Sequence, residues 1–229
     1  MEQLPNGYTL NICDGAFPLS TDSMVLAHFV RLPKQAKVLD FGSGCGTLGL
    51  LLCASDSGCH VTGIELTEKA HETAIKNIRQ NDLQSRMVSL CADLRTLPTQ
   101  FNGRFDVCVS NPPYFSGGPA SNTLPAARRE DCCTSADLFK AVGKALKYGG
   151  DFFLVHRPER LAELIAHGAE AGLEAKRLRF LRHRENLPFS LILLQFRKGG
   201  KPGLIIEESS LFDKSGNPTS YYREVYHTD

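Results

Sequence analysis

The eight cysteines of this chain, at positions 13, 45, 53, 59, 91, 108, 132 and 133, include no C-x-x-C pair. Most sit inside apolar runs, which argues against a zinc site or a disulfide frame and for thiols buried in a reducing compartment. No apolar stretch approaches the roughly 20 residues of a membrane span. The first residues, Met1-Glu2-Gln3-Leu4-Pro5-Asn6-Gly7, lack the basic and apolar regions of a secretory leader. No internal repeat and no linker marks a second domain. These absences predict a metal-free, cytoplasmic protein whose 229 residues form one domain with a sizeable core.

A surplus of charge is missing as well, since the net charge is only +1 with 42% hydrophobic and 22% charged residues. Locally the balance breaks. Lys176, Arg177, Arg179, Arg182, Arg184, Arg197, Lys198 and Lys201 face Glu185 alone within residues 175–201. Two readings stand: a solvated sheet edge guarded by charge, or an electrostatic footprint for nucleic acid.

What is present is a regular alternation of strands and helices. In the lead, apolar residues at 25, 26 and 29 carry helical spacing, with Ser20, Thr21 or Asp22 as cap. The strand Lys37-Val38-Leu39-Asp40 runs into the turn Gly42-Ser43-Gly44-Cys45-Gly46, and an apolar helix follows to about Ala54. A second strand ends at Glu65, followed by a helix capped by Thr67 whose apolar face is Ala70, Ala74, Ile75 and Ile78. A third strand ends at Asp93. The fourth, Phe105-Asp106-Val107-Cys108-Val109, stops at Asn111-Pro112-Pro113-Tyr114, because successive prolines cannot continue a hydrogen-bonded ladder. A long loop over 114–134 is above the usual connection length. Then come a helix over 135–147 closed by Gly149-Gly150, a strand over 151–157 and a helix opened by Pro158 and ended by Gly172. Strands over 175–181 and 190–197 form an antiparallel pair at one edge. The pattern predicts an α/β fold, a doubly wound, seven-stranded Rossmann-like sheet, mostly parallel with an antiparallel edge. Residues 1–36 form a lead covering the ligand, 37–198 the core, and 199–229 a polar tail.

Acids or amides end the first four strands: Asp40, Glu65, Asp93 and Asn111. Doubly wound sheets bind ligands at the carboxyl ends of their strands, so all four point into one crevice. Taken singly, each acid is equally a helix cap or a solvated side chain, and Asn-Pro is often a plain turn. Gly44-Cys45-Gly46-Thr47-Leu48-Gly49 satisfies the dinucleotide pattern G-x-G-x-x-G. A pyrophosphate beside Asp40, however, would meet a mouth of carboxylates at a cost of several kcal/mol. S-adenosylmethionine fits better, with an ammonium, a sulfonium and no phosphate. Glu65, next to Leu66, matches the vicinal diol of the ribose. Asp93, next to Leu94, can accept from the adenine amino group. Asp40 lies near the methionine end, and Gly42, Ser43, Gly44 and Gly46 let the cofactor pass over bare backbone.

With these residues in place the chain resembles the class I S-adenosylmethionine-dependent methyltransferases. Asn111-Pro112-Pro113-Tyr114 is similar to the N-P-P-Y sequence of their amino-methylating branch. The resemblance implies a planar nitrogen as acceptor, either an exocyclic base amine or a glutamine amide. The Asn111 side-chain oxygen and the Pro112 carbonyl would accept its two N–H bonds, and Tyr114 would stack on its plane.

Three subfamilies share that motif. Glutamine methyltransferases carry a sizeable helical domain before the glycine turn, and guanine-N2 methyltransferases of ribosomal RNA usually carry a second, degenerate domain. The resemblance is nearest to the bacterial valine-tRNA adenine-N6 methyltransferases. It runs through Phe17, Asp22 and Phe29 of the lead, Val38 to Gly46, Arg128-Arg129-Glu130, Val155-His156-Arg157-Pro158-Glu159-Arg160 and residues 176–183. It implies that Thr21 and Asp22 close over the methionine moiety. It also implies a tRNA-binding face of Arg128, Arg179, Arg182, His183 and Arg184, whose phosphate contacts would be salt-sensitive. His156 and Arg157 are further RNA candidates, although a His at a strand end is more often structural. An RNA-binding protein that has lost activity on the same fold is the reading from another class, and intact Asp40, Glu65, Asp93 and Asn111 argue against it.

Overall fold

The computed structural model describes residues 1–5, 7–16, 18–112 and 133–228. A short antiparallel pair, β1 (Glu2–Gln3) and β2 (Thr9–Leu10), precedes helix α1 (Thr21–Phe29). Then follow β3 (Lys37–Phe41), α2 (Thr47–Ser55), β4 (His60–Glu65), α3 (Glu68–Gln80), β5 (Met87–Cys91) and β6 (Phe105–Ser110). After the undescribed residues 113–132 come α4 (Ser135–Ala145), β7 (Leu146–His156), α5 (Leu161–Glu170), β8 (Leu173–Arg184), β9 (Leu191–Lys198), β10 (Ile205–Phe212) and α6 (Ser220–Tyr226).

The main sheet has the order β10-β8-β9-β7-β6-β3-β4-β5. β9 runs antiparallel to both neighbours, and all other pairings are parallel. Strand periodicity divides the core between the two faces. Phe153, Val155, Leu191 and Leu193 join the cluster under α1 and α2, while Phe152, Leu154, Ile192, Leu194 and Phe196 join the one under α4 and α5. The doubly wound, mostly parallel sheet is the expected one.

Two expectations are corrected. The sheet has eight strands rather than seven, because Ile205–Phe212 of the polar tail pairs with β8. The antiparallel pair β8–β9 is therefore not the edge; β9 lies inside and β10 closes that side. The tail strand lacks clean alternation and is held by charge: Glu207 accepts from the guanidinium groups of Arg179 at 2.6 Å and Arg177 at 3.4 Å. Arg177 and Arg179 also lie over the Phe29 ring, at 4.3 and 5.5 Å from its centroid respectively. Second, α4 ends at Ala145 and β7 begins at Leu146, ahead of Gly149 and Gly150. The glycines fall inside the strand, where a Cβ on Gly150 would sit 2.9 Å from the Asp106 carbonyl oxygen. Gly150 marks a close backbone approach and Gly149 a left-handed φ of +81°, neither of them a helix stop.

Candidate active site

The carboxyl ends of β3, β4 and β6 bring the expected residues together. The glycine turn after β3 is anchored by Gly42 and Ser43, whose N–H groups both donate to the Ile64 carbonyl, at 2.9 and 3.0 Å. Gly44 and Gly46 adopt φ of +55° and +89°, the left-handed region that glycine occupies without strain. A Cβ on Gly46 would also come within 2.9 Å of Met87 Cε. Glu65 ends β4 and braces this turn: Oε2 accepts from Gly44 N–H and Oε1 from Thr67 N–H, each at 2.8 Å. Each oxygen keeps a second lone pair for a ligand hydroxyl.

Asp40 is 1% exposed, and neither carboxylate oxygen has a hydrogen-bond partner among the described residues. Burial, with the Glu65 charge nearby, pushes its carboxyl up to about 8. Ser43 Oγ is likewise buried and unpartnered. A buried acid without a partner is costly unless a ligand completes it, so this donor set fits a cationic group above a glycine turn.

Asp93 stands two residues beyond the end of β5 and caps the 3-10 turn Leu94–Thr96. Its oxygens accept from the Arg95 backbone N–H at 2.9 Å and from the Arg95 guanidinium, which holds the carboxyl below its ordinary value. Leu66 is 48% exposed, and Leu94 is half-buried against the core cluster under α4 and α5.

Asn111 directly follows β6, and its Nδ2 donates to Ser23 Oγ at 3.0 Å. Ser23 is buried on α1, where Ser20 caps the helix by accepting from Ser23 N–H. The lead helix thus fixes the Asn111 amide with its nitrogen toward Ser23 and its oxygen available as an acceptor. Pro112 is buried beside it. Thr21 and Asp22 open α1 on the same side. Tyr114 and Arg128, with the rest of residues 113–132, lie outside the described residues.

The remaining basic residues separate. Arg179 points inward, between Phe29 and Tyr221 and against Glu207. Arg182 pairs with Glu208 at 2.8 Å and lies over the Phe189 ring at 4.0 Å. His183 and Arg184 are exposed near the end of β8. His156 is buried, with Nδ1 accepting from the Arg157 N–H, and burial pulls it down to about 4, so it remains neutral inside the fold. Among the described cysteines none forms a disulfide; Cys45, Cys53, Cys59 and Cys108 are buried, whereas Cys91 is exposed.

One residue that the sequence reading missed is Asn77. It is fully buried on α3, accepts from Asn11 N–H and Nδ2, and donates to the carbonyls of Asn11 and Cys45. It ties the lead to the glycine turn. The signal was an amide pair, Asn77 in α3 and Asn81 at its C-cap, the first at a helix-interior position where asparagine has little reason to be unless its side chain is used. Asn77→Ala is expected to lower stability by about 3 kcal/mol, since each buried group left unpaired costs ~1–3 kcal/mol. A shift of the urea midpoint checks it.

Residues 18–167, which include every element from α1 to the crevice-forming strands, match the methyltransferase small domain family. The chain belongs to that family. It is 30% identical to the tRNA1(Val) (adenine(37)-N6)-methyltransferase of Photobacterium profundum over 77% of its own length and 76% of the relative's. It is 35% identical to the enzyme of that name from Shewanella woodyi over 60% of its length and 59% of the relative's. A crystal structure described as a predicted O-methyltransferase from Agrobacterium tumefaciens superposes with a TM-score of 0.76 at 20% identity, covering 91% of this chain and 96% of that one. The methyltransferase uses S-adenosylmethionine, and the unpartnered Asp40 and the positive-φ glycine turn are the local features that fit it. Among the described residues no helix is long and apolar enough to cross a membrane.

Proposed function

We propose that this methyltransferase transfers a methyl group to the N6 amino group of an adenine in tRNA, the purine 3′ of the anticodon of valine tRNA. The relatives named for that activity support the substrate. The observation that carries the chemistry is the Asn111 amide, oriented by Ser23 at the end of β6.

When bound, S-adenosylmethionine supplies an electrophilic methyl. Asp40 holds the cofactor's ammonium, Glu65 its ribose hydroxyls and Asp93 its adenine amine. Thr21 and Asp22 cover the methionine end from α1. An exocyclic amine is a poor nucleophile because its lone pair is delocalised into the ring. The Asn111 side-chain oxygen and the Pro112 carbonyl accept its two N–H bonds and draw the nitrogen toward tetrahedral geometry, so that its lone pair is exposed. No base is required before transfer, since the methylated nitrogen is strongly acidic and loses its proton to water. The rate enhancement is positioning and fixed dipoles. Tyr114 takes the stacking role on the everted base, and Arg128, Arg182 and Arg184 contact phosphates. Acting where tRNA is, the protein is cytoplasmic.

The test is transfer of a tritiated methyl to bulk tRNA followed by nucleoside analysis. N6-methyladenosine is the expected product. Label in N5-methylglutamine of a protein pool, with none in RNA, overturns the substrate.

A further inference from the structure

We propose that a second pocket, beside the acceptor site, holds one unpaired base next to the adenine, with His183 as its stacking platform. This inference rests on the tRNA-adenine reading above. A cavity of about 160 Å³ opens between the start of α1 and the ends of β7, β8 and β9. Leu181 and Leu191 form its floor, and Thr21, Asp22, His183 and Ser190 its rim. Cavities near ~150 Å³ take up a single aromatic ring, whereas sites for larger ligands run to ~300–1,000 Å³. The room suits one six-membered base.

Its position ties it to the acceptor. Thr21 and Asp22 immediately precede Ser23, which holds Asn111 at 3.0 Å. Arg157, also in the lining, follows β7, the strand that pairs with β6. The cavity is therefore one strand over from the residue that receives the amine. In an RNA loop the neighbours of an everted base are unpaired and free to enter such a site.

The chemistry of the walls suits a base. His183 is the exposed end of a column of rings: it packs on Phe212 at 4.9 Å, Phe212 on Tyr222 at 5.0 Å, and Tyr222 stacks on Tyr226 at 4.5 Å. Tyr226 closes the column on the lead, its hydroxyl 3.1 Å from Thr21 Oγ1. The imidazole is thus braced by Phe212 of β10, with α6 behind it, and it lines the cavity. Bases stack on protein rings whatever their identity, since every base has a π-face. On the rim, the Thr21 and Ser190 hydroxyls both donate and accept, and the Asp22 carboxylate accepts only. With the Arg157 guanidinium, which also lines the cavity and donates only, that mixture meets the edge of a base. The tail's role follows: β10 and α6 form the wall behind the platform.

The experiment uses an RNA hairpin of the anticodon arm with the acceptor adenine intact and an abasic residue on its 5′ or its 3′ side. Binding is read by fluorescence anisotropy. For the wild type, the abasic residue on one side, and only that side, is expected to weaken binding about 10–100-fold. His183→Ala should weaken the intact hairpin by a similar factor and lose little further with the abasic one, whereas His183→Phe, which keeps a ring, should retain the affinity. Unchanged S-adenosylmethionine affinity shows that the variants are folded. Additive losses from His183→Ala and the abasic residue overturn the subsite, leaving adenine methylation intact. A wild type that binds the hairpin but forms no N6-methyladenosine in it overturns the substrate reading, and the subsite with it.

Discussion

Asn111→Ala is expected to slow methyl transfer about 10³-fold while leaving S-adenosylmethionine affinity within a few-fold. The basis is geometric. Asn111 sits where β6 meets two prolines, and Ser23 on α1 takes its amide nitrogen at 3.0 Å. The oxygen is therefore already set to accept an N–H bond before an acceptor arrives. Removing one such preorganised group costs ~10²–10³ in turnover in other enzymes, and here the same group also fixes the acceptor's orientation. Ser23→Ala keeps the acceptor but releases its orientation, so it should cost only about tenfold in kcat. Single-turnover rates beside calorimetric cofactor titrations separate the two quantities. A cofactor affinity that falls in step with the rate would place Asn111 in cofactor binding rather than on the acceptor.

Asp40→Asn should do two opposite things. It should raise the melting temperature of the unliganded protein near neutral pH and weaken S-adenosylmethionine binding about 100-fold. The native carboxyl titrates near 8, well above its ordinary 3.8, because burial, and to a lesser degree Glu65, disfavours the charge. A raised native value means that the folded state holds the proton more tightly. Stability from this group is complete below about pH 4 and is lost as pH rises through 8. Asparagine removes that loss, and for a chain of this size each kcal/mol is about 2–4 °C in Tm. Binding has the opposite sign. A ligand ammonium favours the carboxylate, so wild-type affinity should climb with pH, by up to tenfold per unit, and level off above about 8. The Asn variant should show no such slope. A wild-type affinity flat from pH 6 to 9 would mean that Asp40 does not face the cation.

The parts of the fold that the sequence revealed are those set by local rules. Strands buried on both faces read as Val/Leu/Phe runs, and the turns between them carry glycine or proline, so β3, β4 and β6 and the residues at their ends were legible. The end of α4 was misread because Gly149-Gly150 imitates a helix stop, while what Gly150 answers to is the close approach of the distant Asp106 backbone. β10 was missed because its place depends on Glu207 meeting Arg177 and Arg179, a pairing that no local pattern announces. The same pairing changes the basic stretch, since a run of arginines reads as one charged surface only until the fold turns Arg179 inward and leaves Arg184 outside. Asp40 shows the converse. Its type and position were visible in the sequence, but its isolation from any partner, which makes it informative, is a property of the packed interior. Asn77 belongs with β10, because its value lies in joining the lead to the glycine turn across more than sixty residues of sequence.

The central claim is that Asn111 presents an adenine N6 amine to the cofactor's methyl. It is tested most directly by single-turnover methylation of two anticodon-arm hairpins that differ at one atom group. One carries adenine 3′ of the anticodon, and the other carries purine there, which lacks the exocyclic amine. With tritiated S-adenosylmethionine, the first should take up one methyl per RNA, recovered as N6-methyladenosine, and the second none. Equal incorporation into both hairpins would contradict the account.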